Sequence, residues 1–417
     1  MIDGSVEPGF WPLARVLQQQ VRRSGRGGAA VCVYHRGRKV ADLWAGERDT
    51  SGHAWTSDTM AMSFSTTKGV VATALHVLAD RGRISYEDRV ARHWPEFGQA
   101  GKASITVRDV LSHRAGLPQI RPLLDRPDRI LDWDYMTEAL ADASPRLAPG
   151  GHSAYHAFTF GWLAGELVRR VTGQPVGDAV RSLVAEPLGL DGCYIGAPAE
   201  AKQRAAALIR PKGGGMVGLI GSRRLMSALE RTTRAIGIPV SPLLIQDSLL
   251  PGDVSELLWD PRILDTPIPA ANGLFTARSL ARVYAMLAEG GTLDGVRLLS
   301  RRSIARASQV QTRGRDRVLQ IPMHWRLGYH SAFTTRGRLA TGFGHFGYGG
   351  SGAWCDPEQR LAVAMVTNQV AGGPFGDARI ARLGGAAVRC ARAVSRGAPL
   401  DAASAERSGP LGGVAAG

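Results

Sequence analysis

The stretch "AAVCVYHRGRKVADLWAG" (residues 29–46) sets two apolar, β-branched runs around a polar "HRGRK", with Gly37 where the chain must reverse. That pattern predicts a β-hairpin. The period then changes. In "SFSTTKGVVATALHVLADRG" (residues 63–82), Val70, Val71, Ala74, Leu75 and Leu78 recur at three- and four-residue spacing. This predicts a helix over 65–79, stopped by Gly82. "SITVRDVLSHRAGLP" (residues 104–118) predicts a helix opened by Thr106 and closed by Gly116 and Pro118. Residues 159–190 predict two more, divided at Gly173 to Pro175. The chain from about 60 to 200 is therefore helix-rich. Residues 271–291 predict a helix capped by Thr276, and strand signals return in "HWRLGYH", "GSGAWCDP" and "RLAVAMVTNQV". "DARIARLGGAAVRCARAV" predicts a last helix, and the small, polar text after about Ser395 reads as a disordered tail.

A hairpin, a long helical segment, then strands and a final helix suit one α/β (α+β) sheet built from both chain ends, with a helical domain inserted. The division is a sheet domain of residues 1–60 and 270–395, a helical domain of 61–269 and a tail of 396–417. Within the helical part, residues 207–250 are apolar, basic and broken by Gly and Pro, and read as a lid-like excursion near a site.

Composition changes this picture little. Hydrophobic residues are 44% and charged residues 21% of the 417, as in ordinary folded proteins. No apolar run is long enough to span a bilayer, and "MIDGSVEPGFWPLARV" lacks the basic start and apolar stretch of a signal peptide. The expectation is a soluble cytoplasmic protein. The formal charge is +15, but the arginines are scattered through the chain and no basic stripe is interleaved with aromatics, so nucleic acid is not the expected partner. Cys32, Cys193, Cys355 and Cys390 are far apart and form no ligand cluster; they read as buried thiols, with no metal and no cofactor called for. Oligomeric state is not readable.

Of 51 basic residues only five are lysines, and one of them, Lys68, lies in an apolar segment three residues after Ser65. On a helix that spacing puts both side chains on one face. A serine hydroxyl becomes a good nucleophile when a base takes its proton, and lysine is such a base when desolvation or nearby cations make its amine neutral. Arginine cannot do this, because its guanidinium stays protonated. The helix N-terminus also aims N–H groups where an oxyanion would form. Taken alone, S-x-x-K also fits a helix turn with a solvated lysine.

The context resembles a known family. "SFSTTKGVVATALHVLADRGRI" is similar to the S-x-x-K segment of serine β-lactamases, penicillin-binding proteins and the related family VIII carboxylesterases. "ITVRDVLSHRAGLP" resembles the segment that follows it in the class C group. "PGGHSAYHAFTFGWLAGELVRRVTG" resembles the region of the second motif, Y-x-N or Y-x-x. "GFGHFGYGGSGAWCDPEQRLAVAMVTN" resembles the third, K-T-G or H-x-G, on an inner strand. The likeness spans roughly residues 10–395 with gaps and is weakest over 200–265. It implies a β-lactamase/DD-peptidase-like fold, an antiparallel sheet flanked by helices, and acyl transfer through an acyl-serine.

Carried onto this chain, the resemblance makes Ser65 the nucleophile, Lys68 its base partner and Tyr155 a sharer in proton transfer. His345, Phe346 and Gly347 match the third motif, and the N–H groups of Ser65 and Tyr348 would form the oxyanion hole. His113 reads as structural, at a helix end outside the site, and His156 has no assigned role. Ala157 stands where β-lactamases usually carry Asn, and His345 where they usually carry Lys. Both departures favour ester substrates. The expectation is a serine carboxylesterase acting on small-molecule esters. An acyltransferase, a DD-peptidase or β-lactamase, and a non-catalytic binding protein remain as rivals. In residues 207–250, "SRRLMSALERTTRAI" puts Leu225, Met226 and Leu229 on one helical face, with Ile236 roughly in line and Arg223, Arg224, Arg231 and Arg234 around it. One reading is a helix packed on the body. The other is a mobile apolar wall over an acyl pocket that also meets anionic lipid surfaces.

Overall fold

The computed structural model describes residues 1–210, 222–249, 252–370, 377–397 and 414–415. The chain opens with β1 (Ile2–Val6), α1 (Pro12–Ser24) and the expected hairpin of β2 (Gly28–His35) and β3 (Arg38–Gly46). Helices α2 (Thr66–Asp80) and α3 (Thr159–Thr172) follow, then α4 (Arg223–Ala235), α5 (Pro242–Leu249) and α6 (Ala277–Ala288). The return to the sheet is β4 (His330–Thr334), β5 (Gly337–Phe346), β6 (Gly352–Asp356) and β7 (Leu361–Thr367), then α7 (Ala378–Ser395) and β8 (Val414–Ala415).

These strands make one eight-stranded sheet in the order β8-β1-β3-β2-β7-β6-β5-β4. The chain is thus α+β. Every pairing is antiparallel except β8 on β1 at the edge. The two chain ends meet where β2 pairs with β7, Val33 opposite Val363. Every residue of β2 and β7 is buried, because helices cover both faces and leave no reason for polar alternation. On one face α1 and α7 pack on Val31, Val33, Leu43, Val363 and Met365. On the other, α6 and α2 belong to the large core that continues through α3.

Three expectations change. The helix over 104–118 shrinks to Val107–Leu111, opened by a capping box between Thr106 and Asp109. It stops because His113 adopts a left-handed conformation (φ 58°), and the His113 carbonyl then accepts the Ala154 N–H at 2.9 Å. "HWRLGYH" is not a strand: only its last residue, His330, enters β4, and the rest crosses beneath the site. In the tail, Val414 and Ala415 pair with β1 rather than running free, while residues 398–413 lie outside the described residues. So do residues 211–221 and 250–251 of the lid-like segment. The four cysteines are buried and unpaired. No helix among the described residues is long and apolar enough to cross a membrane.

Candidate active site

Helix α2 supplies the first two groups. Of its fifteen residues, those from Thr66 to Leu78 are all buried, so apolar burial rather than amphipathicity holds this helix in the core. Phe64, just before the turn, has φ 45°, a left-handed conformation that costs energy for a side chain of this size and aims Ser65 out of the helix start. Ser65 occupies the N-cap position, yet its hydroxyl caps nothing. It meets Lys68 Nζ at 2.9 Å and Tyr155 Oη at 2.6 Å instead. Gly69 lets the helix approach its neighbour: a Cβ there would lie 2.2 Å from the Tyr284 hydroxyl.

Lys68 is wholly buried. Its Nζ also reaches the carbonyls of Ala157 (2.7 Å) and Ala270 (2.9 Å). Burial pushes its pKa well below the usual 10.5. A neutral amine has two N–H groups and one lone pair. The two carbonyls accept the N–H groups, which leaves the lone pair facing the Ser65 hydroxyl. The Ala270 carbonyl is presented by a bend that Asn272 ties down, accepting from Ile268 N–H and donating to the carbonyls of Ile263 and Thr266.

Tyr155 lies in the loop before α3, its ring 5.1 Å below Lys68 Nζ. Burial raises its pKa, so it stands as a protonated phenol donating to Ser65 Oγ. Its ring stacks on Trp325, centroids 5.3 Å apart and planes 9° from parallel. The third-motif segment closes the site from the end of β5. Gly347 is packed so tightly on the turn before Ser65 that a Cβ would lie 2.3 Å from the Ser63 carbonyl oxygen. Tyr348 follows, edge-on to Phe64 at 5.5 Å. The N–H groups of Ser65 and Tyr348 donate to no described residue. His345 is buried with its Nε2 free of any partner among the described residues, and burial pushes its pKa well down, so it is neutral.

One histidine is placed differently from expectation, and a second, which had no assigned role, acquires one. His113 is not outside the site: its ring meets Tyr155 edge-on at 5.0 Å and Trp325 at 4.2 Å, and its Nδ1 accepts the His156 N–H. His156 is a structural brace, with Nδ1 donating to the Ala154 carbonyl and Nε2 accepting the Leu117 N–H. The residues behind Tyr155 were missed. Trp325, Leu244 of α5 and Val318 form an apolar cluster with Ala154, Tyr155 and Ala157. No motif marks them, since they come from two segments far from Tyr155 in sequence. In the lid-like segment, α5 is anchored: Leu244 packs in that cluster, and Asp247 accepts from Gln119 and Arg223. Helix α4 packs outside it and buries Met226 and Glu230, while Leu225, Leu229, Ile236 and Ile238 stay exposed.

A family model described as Beta-lactamase matches residues 13–387. The chain is 41% identical over 377 residues to the esterase/beta-lactamase LipL of Mycobacterium tuberculosis, covering 88% of this chain and 83% of that one. Among solved structures it is similar to a family VIII carboxylesterase (TM-score 0.81, 33% identity, 94% of this chain and 100% of that one). It is also similar to a penicillin-binding protein homologue from Caulobacter crescentus (TM-score 0.80, 34% identity, with the same coverage).

Proposed function

The chain belongs to the Beta-lactamase family, and from that premise we propose that it is a serine carboxylesterase working through an acyl-serine at Ser65. One observation carries the reading: Ser65 Oγ sits 2.9 Å from a buried lysine amine and 2.6 Å from a buried phenol. As Oγ attacks the ester carbonyl, its proton passes to Lys68 Nζ and the carbonyl electron pair moves onto oxygen. The N–H groups of Ser65 and Tyr348 meet that oxyanion. Collapse breaks the ester C–O bond, and the leaving alkoxide takes the Tyr155 proton, which the Lys68 ammonium restores. Water then attacks the acyl group and its proton passes to the neutral Lys68 amine; collapse breaks the acyl–Oγ bond, and Ser65 Oγ takes the Tyr155 proton, which the Lys68 ammonium again restores. Gly347 keeps the strand against the nucleophile, and His345 lines the site as a neutral group.

The neutral His345 and Ala157, which offers Lys68 only its backbone carbonyl, support esters over substrates needing a carboxylate clamp or a side-chain amide. An alcohol in place of water would make the same site an acyltransferase. A fluorophosphonate probe should label parent protein and not Ser65→Ala, which should keep its fold and lose p-nitrophenyl acetate hydrolysis. A panel of longer esters with a β-lactam included reads out the substrate class. An unlabelled, inactive parent would return the chain to the binding-protein reading.

The exposure of Leu225, Leu229, Ile236 and Ile238 beside Arg223, Arg224, Arg231 and Arg234 supports peripheral contact between α4 and anionic lipid. Parent protein should then co-sediment with phosphatidylglycerol-containing vesicles in a salt-sensitive way, and Leu225→Ser/Leu229→Ser should not. Equal sedimentation of both would leave α4 a packing helix.

A further inference from the structure

We infer that Asp316 is a positioning residue for Tyr155, seating the tyrosine through its backbone and through the indole that backs its ring. The inference rests on the reading that Tyr155 shares proton transfer at Ser65. Asp316 is wholly buried. Its Oδ1 accepts the N–H groups of Tyr155 (3.0 Å), Val318 (2.9 Å) and Leu319 (3.0 Å), and its Oδ2 accepts Trp325 Nε1–H at 2.8 Å. All four are neutral donors. One carboxylate therefore fixes the Tyr155 main chain and the flat surface beneath its ring together, and so the height of the phenol oxygen over Ser65. A group made only to hold the 316–325 loop would have no use for the Tyr155 N–H, 161 residues away.

The carboxylate acts on the phenol in a second way. Burial is the main cause of the raised Tyr155 pKa, and the negative charge of Asp316 adds to it. The other groups facing Tyr155 are Lys68 of α2, His113, the adjacent His156, and His345 of β5. Burial lowers the pKa of each, which keeps these histidines neutral near pH 7. Among these neighbours Asp316 is the carboxylate, and it favours a phenol that keeps its proton until the leaving group takes it.

The test is a double-mutant cycle with p-nitrophenyl acetate as probe, with kcat, KM and the pH profile read for each variant. Asp316→Asn should lower kcat roughly 10- to 100-fold with KM within about twofold, because a misplaced catalytic group loses rate before binding. It should also move the alkaline limb of the profile to lower pH. In the Tyr155→Phe background the same substitution should cost nothing more. Trp325→Phe keeps a flat ring and deletes the N–H; it should give a smaller loss with the same non-additivity, and it decides the matter where Asp316→Asn does not fold. Additive losses, or an unmoved limb in a folded Asp316→Asn, overturn the inference while the Tyr155 reading stands. A Tyr155→Phe protein as fast as the parent overturns both, and is told apart by that single variant.

Discussion

Replacing Lys68 by methionine keeps an unbranched side chain out to Cε, with sulfur in place of Cδ, and removes the terminal nitrogen. Three oxygens surround that nitrogen within 2.9 Å, and one of them is Ser65 Oγ. As an amine, Lys68 satisfies two carbonyls and still offers Ser65 a lone pair. As an ammonium, it would spend its third N–H on the hydroxyl and leave no base. General-base transfer contributes about 10²- to 10⁴-fold, roughly 3–5 kcal/mol of barrier, so Lys68→Met should lose that much kcat/KM. The stability change is smaller and of mixed sign. Each stranded carbonyl costs about 1–3 kcal/mol, offset by removal of a buried, ionisable amine. Lys68→Arg keeps a positive charge without a lone pair and should fall at least about 10²-fold at neutral pH. The assay is kcat/KM for p-nitrophenyl acetate against pH, with thermal melts of each protein. Because the folded pKa of Lys68 lies below 10.5, the parent's rate should rise as pH passes that depressed value. Between the folded and unfolded values the unfolded chain binds a proton that the folded one does not. The parent should therefore gain stability with rising pH across that window, relative to Lys68→Met. A Lys68→Met protein retaining more than about a tenth of the parental kcat/KM would refute the assignment of the lysine as base.

Tyr155→Phe keeps the ring on Trp325 and deletes only the 2.6 Å contact to Ser65. Its melting temperature should stay within a few degrees of the parent while kcat falls about 10²- to 10⁴-fold. Gly347→Ala drives a Cβ to 2.3 Å from the Ser63 carbonyl oxygen; the turn must yield, and kcat should drop about 10²-fold with a stability loss of about 1–3 kcal/mol, read by kinetics and melts together. Gly69→Ala tests packing against propensity. Alanine gains about 1 kcal/mol in an open helix, but the Tyr284 hydroxyl 2.2 Å from the new Cβ should make the change net destabilising. A raised melting temperature would refute that.

The hairpin, α2, α3, α6 and α7 were legible because each carries its own periodicity and punctuation. Gly37 turns the hairpin, and Thr276 caps α6 by accepting the Ser279 N–H, as its spacing suggested. Strand β5 was carried only by the third-motif likeness. Its text, "GRLATGFGHF", holds three glycines, and its register shifts between Arg338 and Phe343, so neither alternation nor β-branching marks it. Strand β1 and helix α1 were not read: β1 is five residues long and contains Gly4. In the site, Ser65 and Lys68 stood out by their S-x-x-K spacing, and Tyr155 came from the family resemblance. The carbonyls of Ala157 and Ala270 could not, since a main-chain acceptor leaves no mark on residue type. Nor could the seat of Tyr155, whose parts are 161 and 170 residues from it, as Asp316 and Trp325.

What would fit the lysine for the proposed role of base is the same thing that hides it from a local reading. S-x-x-K on an exposed helix turn gives an ammonium in water, where nothing lowers its pKa and the serine keeps its proton. Here the cause of the shift is burial, and no partner charge is needed for it. That burial is assembled from α2 itself, the loop carrying Tyr155 and Ala157, the bend at Ala270 and the packed strand end at Gly347. The two carbonyls matter as much as the apolar walls. They satisfy a neutral amine completely, so the site can keep lysine dry without stranding its N–H groups. The same enclosure acts on the phenol: burial is the main cause of the raised Tyr155 pKa, so the phenol keeps its proton. On the proposed mechanism the reactivity of the Ser65–Lys68 pair depends on the closed core around it, and substitutions that admit water there should weaken catalysis even where they touch neither residue.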